Sequence, residues 1–496
     1  MQSEEAYDVV VIGAGIVGCL VAREFSRYRL SVVVLEKAWD VGTGASGANS
    51  AILHSGCDPK PGTLKARLNV EGNRLWESLS RVLDVPMKRT GSYVVAVGRE
   101  ELPALDTMME RAIRNGVPGV SLVTREEMRI REPLIHPSVA GALYTPSAGV
   151  IDPFRAVVAA AESAAINGVK FRFGTETVRV RSEGGKVTAV ETGSGELIRA
   201  RIVVSCAGIH SDTFFHASGV YPDFTISPRK GEYLIFDPAK LSLNHVYFPV
   251  PTEKGKGCLV STTTHGNVMI GPNANSISDR EDASVSADGM DEIVRMAKKL
   301  IPSVDPADAI SEFAGIRATG NLPDKDFLIE FCRNPLGLVI LAGIDSPGLV
   351  SAPAIARYAL TLVREAGFPL EERRDWIEGV HAAPVFHKLS HREKAELIER
   401  EPLYGRIVCR CEEITEGEVV AAIRSPVPAT TYDAVKRRTW LGTGRCQGGF
   451  DYPRVIEILA RELGIPVTEV TKKGPGSRIV FRETRPSLET DEGAAR

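Results

Sequence analysis

The sequence has no apolar run long enough to cross a bilayer. Its best candidate, "VVVIGAGIVGCLVA" near the N-terminus, is short and broken by glycine, whereas a membrane helix needs about 20 apolar residues. A basic stretch ahead of that run is also missing: "MQSEEAYD" is acidic, so no secretory signal is expected. Charge of either sign is not in excess. The formal net charge of −3 gives no reason to expect nucleic acid or another polyanion as a partner. Cysteine is sparse, eight residues in 496, and five of the eight are scattered. That excludes a disulfide scaffold and points to a reducing, cytoplasmic compartment. There are no internal repeats. What remains is ordinary globular composition, 43% hydrophobic and 25% charged, in a chain too long for one compact core. Two or three domains are expected.

The most specific local signal is "YDVVVIGAGIVGCLVAREFSRYRLSVVVLEK". Asp8 to Ile12 is β-branched and apolar, as a buried parallel strand should be. Gly13, Gly15 and Gly18 follow in the G-x-G-x-x-G spacing, then a helical stretch, then a second strand, Ser31 to Leu35, ending in Glu36. Gly13 permits the tight turn, Gly15 lets backbone amides approach a pyrophosphate, and Gly18 lets helix pack on strand. The helix N-terminus then faces two phosphates. Glu36 can accept both ribose hydroxyls and would repel a 2′-phosphate, which disfavours NADP. A lone G-x-G-x-x-G is weak, but here strand, glycines, helix and terminal acid agree.

Later segments choose FAD over NAD. "GTGASGANSAILHSG" is small and polar, suited to lie extended along a long dinucleotide, with Ser46 and Asn49 as candidate contacts. "ARIVVSCAGIHSD" is a strand ending in Ala207 and Gly208, where backbone must pass close to a ligand. "LGLVILAGIDSPGLVSAPAIARYAL" repeats the strand–glycine–helix logic, with Gly343, Gly348 and Leu349 at the turn. A helix there could aim its N-terminus at the flavin's pyrimidine carbonyl. Each segment alone reads equally as an ordinary strand–helix turn; their order favours FAD.

Near the C-terminus "IVCRCEEITEGEVV" and "GRCQGGFDYP" bring together Cys409, Cys411 and Cys446, with Asp451 where a fourth thiolate would be sought. An iron–sulfur site, a zinc site and no metal at all are open on these residues alone.

From residue 6 to about 370 the chain resembles the glycerol-3-phosphate dehydrogenase and L-2-hydroxyglutarate dehydrogenase branch of the D-amino-acid-oxidase-like flavoproteins. The matching phrases are "NSAILHSG", "PGTLKARL", "REPLI", "PSAGVIDPFR", "PRKGEYLIFD", "VMIGPNA" and "AGIRA". The last hundred residues, through "VCRCEEIT", "DAVKRRT" and "GTGRCQGGF", resemble the bacterioferritin-associated-ferredoxin-like domain of the anaerobic glycerol-3-phosphate dehydrogenase large subunit. The resemblance implies an α/β chain. A Rossmann-like FAD domain in pieces 1–90, 150–225 and 330–385 carries an inserted α+β substrate domain, 90–150 and 225–330, built on an antiparallel sheet. A charged helical linker, "HKLSHREKAELIEREP", leads into a small, mainly helical iron–sulfur domain at 386–480, and the tail 481–496 is expected to be disordered. In this family the Val178 position offers backbone groups to adenine, although a plain core valine fits the sequence as well. In the related C-terminal domains four cysteines hold a 2Fe–2S cluster, and Asp451 occupies the fourth place. The expected cofactors are therefore FAD and a 2Fe–2S cluster with three thiolates and Asp451.

Oxidation of a secondary alcohol on a flavin needs a base for the hydroxyl proton, and an anionic substrate needs fixed cations. His54 lies in the flavin-proximal segment and is a candidate base; a turn histidine is the plain alternative. Arg317 matches a family arginine near the substrate, against a packing arginine. His265, in "TTTHGN", is a third candidate, although a sheet-edge turn explains it better. Arg229 and Lys230 could attract an anion, and Cys57 could face the flavin or be an ordinary buried thiol. The implied substrate is a small anionic hydroxylated molecule. Glycerol 3-phosphate leads, followed by a 2-hydroxy acid, favoured by the loop "AGIDSPGLVSAPAIARY". An amino or imino acid comes next, and a non-catalytic electron-transfer subunit is the different class. Redox partner subunits are expected, with room for peripheral membrane attachment through them.

Overall fold

The computed structural model describes residues 5–251 and 257–482. Most of the expected tail lies outside the described residues. The chain divides into two compact units, 1–382 and 383–496.

Among the described residues the first unit has two large sheets and a small three-stranded one, Ile52–Leu53, Gly149–Ile151 and Met87–Lys88. In one large sheet, five parallel strands run in the order Lys170–Arg172, Val32–Leu35, Ala6–Ile12, Leu197–Ser205 and Leu338–Ala342. Val9, Val10, Val11, Val33 and Val34 are fully buried, which is why these strands are continuous apolar runs rather than alternating ones. The hairpin Thr177–Glu183/Lys186–Thr192 continues antiparallel from the start of Leu197–Ser205, and Leu328–Phe331 adds antiparallel to Leu338–Ala342. Helix Leu64–Val82 crosses helix Gly348–Glu365 closely at Gly72, where a Cβ would meet the Val350 carbonyl oxygen at 2.1 Å. Buried Trp76 ties the same crossing, its Nε1 donating to the Leu349 carbonyl at 3.2 Å.

The second large sheet has nine strands among the described residues. Its longest pair, Ile226–Phe236 against Ala309–Gly320, is antiparallel along the whole length. All its other pairings are antiparallel except one: Val246–Pro249 lies parallel to Ser92–Ala96. The α/β sheet with an α+β sheet beside it is the fold class the sequence implied.

The second unit holds a small hairpin, Ile407–Cys409/Ile414–Thr415, and helices Glu416–Ile423, Tyr432–Thr439 and Tyr452–Leu463. Val419, Val435, Leu441, Val455, Ile458 and Leu459 form its core. The charged segment read as a helical linker is helical and belongs to this second unit. Its helix, His391–Arg400, is started by a capping box between Ser390 and Glu393. Leu397 packs with Phe386 and Tyr404 inside this second unit. A helix polar on most of its surface still buries one leucine, which composition alone did not reveal.

Candidate active site

The first turn after Ala6–Ile12 is shaped by its glycines. Gly13 has φ +95°, and a Cβ there would lie 2.6 Å from the Cys206 carbonyl oxygen. A Cβ on Gly18 would lie 1.9 Å from the Gly13 carbonyl oxygen, so helix Ile16–Phe25 seats on its strand only with glycine at this position. Gly15 caps that helix without a side chain; Ser46, brought from the extended segment, accepts from Ile16 N–H at 2.9 Å. Asn49 braces the same segment, donating to the Ala45 and Ser46 carbonyls and accepting from Ala51 N–H at 2.7 Å. At the end of the second strand the Glu36 carboxylate accepts from Ala14 N–H at 2.7 Å and Ala38 N–H at 2.8 Å.

These groups line a single cavity of about 1830 Å³. That exceeds the roughly 300–1,000 Å³ of a drug-sized site. It suits a dinucleotide with a substrate beside it. Gly13, Gly15, Gly18, Glu36, Ser46 and Asn49 are in the lining, as are Val178, Ala207, Gly208, Gly348 and Leu349. Val178 is skipped in the hairpin ladder, which shifts register between Thr177 and Arg179. A bulge of this kind leaves backbone groups unpaired by the sheet and available to a ligand. Gly343 is not in the lining. With φ +64° it makes the turn out of Leu338–Ala342, and its neighbours Ile344, Asp345 and Ser346 reach the cavity instead.

His54 and Arg317 line the same cavity. The His54 carbonyl accepts from Asn69 and Asn73 Nδ2 at 2.8 and 2.9 Å, both donors on helix Leu64–Val82. Its ring tilts against Phe248 at 5.7 Å, and its Nε2 lies 3.4 Å from Ser346 Oγ. Arg317 is held by carbonyls: Nη2 donates to Asn273 O at 2.7 Å and Lys230 O at 3.2 Å, and Nε to Arg229 O at 3.4 Å. Burial lowers its pKa, and the neighbouring Arg229 adds to that pressure against the favourable fields of Tyr233 and Asp345. Arg229 and Arg317 are direct cross-strand partners, so both guanidinium groups stand on one face, and both line the cavity. Like charges facing across a ladder destabilise a sheet. An anion between them turns that cost into binding.

Lys230, one residue on, points to the opposite face. Its Nζ pairs with Asp282 at 2.9 Å, away from the cavity lining. His265 is outside the lining and is not brought to His54 and Arg317; its Nε2 lies 3.5 Å from the Asp152 carboxylate that caps helix Pro153–Ile166. Cys57 is likewise outside the lining and packs beside Val70 and Val117. The sequence reading missed Lys65, Asp345 and Ser346. Lys65 Nζ donates to Asp345 Oδ1 at 2.7 Å, each side chain 12% exposed, and Thr319 Oγ1 donates to Asp345 Oδ2 at 3.0 Å. This pair fixes the loop that presents Ser346 to His54.

In the second unit Cys409, Cys411 and Cys446 approach each other. Sγ separations are 3.7 Å for Cys409 to Cys411 and 3.4 Å for Cys411 to Cys446. Two thiolates on one tetrahedral metal with bonds near 2.3 Å stand about 3.8 Å apart. Burial pushes the Cys409 thiol up to about 12. Asp451 is 1% exposed; Tyr432 donates to its Oδ1 at 2.6 Å, while its buried Oδ2 has no hydrogen-bond partner among the described residues. A buried carboxylate oxygen without a hydrogen-bond partner, next to Gly442 between the cysteine segments, fits a cluster ligand. Among the described residues no three His, Cys, Asp or Glu side chains converge to hold a single metal ion. A two-iron cluster divides its donors between two centres and needs no such point.

Residues 8–362 match the family model described as FAD dependent oxidoreductase. The chain belongs to that family. Residues 407–461 match the BFD-like [2Fe-2S] binding domain. This FAD dependent oxidoreductase is 40% identical over 484 residues to a glycerol 3-phosphate dehydrogenase of Caloramator mitchellensis, covering 97% of this chain and 100% of that one. It is 30% identical to the mitochondrial L-2-hydroxyglutarate dehydrogenase of Homo sapiens over 71% of this chain and 87% of that protein. Among solved structures, the FAD-bound L-alpha-glycerophosphate oxidase of Mycoplasma pneumoniae superposes with a TM-score of 0.72 at 30% identity, covering 77% of this chain and 100% of that one. The chain that carries the glycine turn and the cavity described above is therefore an FAD-dependent oxidoreductase of the glycerol-3-phosphate dehydrogenase type. No helix among the described residues is long and apolar enough to cross a membrane.

Proposed function

We propose that the chain oxidises sn-glycerol 3-phosphate to dihydroxyacetone phosphate. The observation that carries this reading is the cross-strand pair Arg229 and Arg317 in the cavity with His54. Two fixed cations suit a phosphate dianion better than a single carboxylate. The similarity to the Caloramator dehydrogenase and the Mycoplasma oxidase supports the same substrate. Gly13, Gly15, Gly18, Glu36 and Ser46 would hold FAD, which supplies the two-electron acceptor for the hydride from the substrate's carbinol carbon. The chain's own part is placement and proton transfer. Arg317 and Arg229 hold the phosphate, His54 Nε2 accepts the hydroxyl proton as the carbonyl forms, and Ser346 Oγ, 3.4 Å away, orients that ring. The asparagines on the His54 carbonyl keep its backbone from drifting.

The test is anaerobic mixing with candidate substrates while flavin absorbance is followed. Glycerol 3-phosphate bleaches the flavin; bleaching by L-2-hydroxyglutarate instead, favoured by the human relative, would replace the reading. No bleaching by any hydroxy acid, polyol phosphate or amino acid would point to a non-catalytic electron-transfer subunit.

We also propose that Cys409, Cys411, Cys446 and Asp451 hold a 2Fe–2S cluster, which supplies one-electron steps towards a redox partner subunit. Asp451 keeps the ligand's negative charge, unlike the neutral histidines of Rieske centres. Being a harder donor than thiolate, it favours the ferric state. Asp451→Cys is expected to retain about two irons per chain with an altered visible spectrum and greater resistance to chelators. Identical spectra for the two proteins would remove Asp451 from the ligand set.

A further inference from the structure

Tyr432 is the most constrained side chain around Asp451. It opens helix Tyr432–Thr439, whose Thr431 cap accepts from Ala434 N–H at 3.2 Å. Its ring is 2% exposed and stacks on Tyr452 at 4.0 Å with planes 5° apart. Its hydroxyl has a seat made by two glycines from the cysteine loop. Gly442 and Gly448 have φ +71° and +85°, and a Cβ on either would come within 2.7 Å of the Tyr432 oxygen. The same absent Cβ on Gly442 would lie 3.5 Å from Asp451 Oδ2. The loop thus leaves space for one phenol, and that phenol donates to Asp451 Oδ1 at 2.6 Å.

Resting on the reading of Asp451 as a cluster ligand, we infer that Tyr432 is a positioning residue that makes this ligand monodentate. The hydrogen bond occupies Oδ1 and leaves Oδ2, the buried oxygen without a partner among the described residues, as the one to bind the metal. A carboxylate oxygen that already accepts a short hydrogen bond is the poorer donor to a metal, which favours binding through the other oxygen alone. The bond also withdraws charge from the carboxylate, which raises the cluster's reduction potential relative to a free aspartate ligand. Partners of this kind, one bond removed from the metal, commonly set ligand orientation and basicity. A tyrosine stacked in a closed seat holds its donor more firmly than a surface serine would. Nothing in the C-x-C spacing announces it, because Tyr432 reaches Asp451 only through the fold.

The test uses the full chain purified anaerobically as wild type, Asp451→Asn and Tyr432→Phe. Iron and sulfide content, the EPR spectrum of the reduced protein, its potentiometric midpoint and its melting temperature are read on each. Tyr432→Phe is expected to keep iron and sulfide, change its g-values, lower its midpoint and lose cluster faster to chelators. Wild type grown with fluorotyrosine, whose phenols are stronger donors, is expected to shift upward, and Tyr432→Phe grown the same way is not. The inference is overturned if Tyr432→Phe has wild-type g-values and midpoint while Asp451→Asn differs. A lower melting temperature alone, with both signals in place, means that Tyr432 is structural and also overturns it. If Asp451→Asn itself matches wild type, or wild type binds no iron, the ligand reading fails and the inference falls with it.

Discussion

Glu36→Arg is expected to give a folded protein that binds FAD at least about a hundredfold more weakly. Two losses combine. The wild-type carboxylate clamps the glycine turn to the following loop by accepting from Ala14 N–H at 2.7 Å and Ala38 N–H at 2.8 Å. An arginine has no acceptor, so both amides lose their partner at the cavity wall. The same carboxylate stands at the end of Val32–Leu35, where the ribose of a dinucleotide is read. Hydrogen bonds to a charged group are worth about 1.5–3 kcal/mol each. Two of them correspond to roughly two to four decades in dissociation constant. Non-additivity favours the lower end of that range. Glu36→Gln keeps the shape and half of the acceptors, and is expected to fall between. Flavin absorbance per chain after purification and FAD titration of the apoprotein measure both variants. Wild-type flavin content in Glu36→Arg would mean that the turn binds through its amides alone. NADH binding to a flavin-free protein would overturn the assignment of the cavity to FAD.

How much of this was legible in the sequence depended on how local each feature is. The glycine turn was fully readable, because its spacing is imposed by contacts within one strand, one turn and one helix. Gly18 against the Gly13 carbonyl is such a contact. The strands of the second sheet were readable as β-runs, but their order was not. The parallel joining of Val246–Pro249 to Ser92–Ala96 brings together segments far apart in the chain, and no residue type marks it. Arg229 and Lys230 could have been separated in advance. Adjacent strand residues face opposite sides, so at most one of them could share a face with Arg317. Register supplied the rest, by placing Arg229 opposite Arg317. His265 and Asp152 could not have been paired from sequence: they lie in separate stretches, "TTTHGN" and "PSAGVIDPFR", and their meeting is tertiary. The Lys65–Asp345 pair is similar: "PGTLKARL" signals a helix start, and only the fold aims its lysine at the loop before helix Gly348–Glu365. In the second unit the cysteines were legible by spacing, and Tyr432 was not.

Arg317→Ala is expected to retain FAD and to raise the KM for glycerol 3-phosphate by about one to two decades. The guanidinium is fixed through Nε and Nη2 by three carbonyls, those of Asn273, Lys230 and Arg229. Gly231 opens the space beside it: a Cβ there would stand 3.0 Å from Nη2. Burial lowers the Arg317 pKa, yet a guanidinium starts so high that it stays charged at every working pH. The variant's pH–rate profile should therefore keep its shape while its height falls. A profile that loses an ionisation would implicate another group, His54 first. One charge-assisted contact is worth about 1.5–3 kcal/mol, which sets the one to two decades. Because the contact is to the phosphate and far from the bond that breaks, most of the loss belongs in KM rather than kcat. Glycerol, which lacks the phosphate, should be oxidised equally poorly by both proteins, and added inorganic phosphate should partly restore its turnover only when Arg317 is present. If Arg317→Ala leaves the KM for glycerol 3-phosphate unchanged but raises that for L-2-hydroxyglutarate, the arginine pair reads a carboxylate. The substrate is then a 2-hydroxy acid. If neither changes, Arg317 packs the sheet, and the anion is held by Arg229 alone.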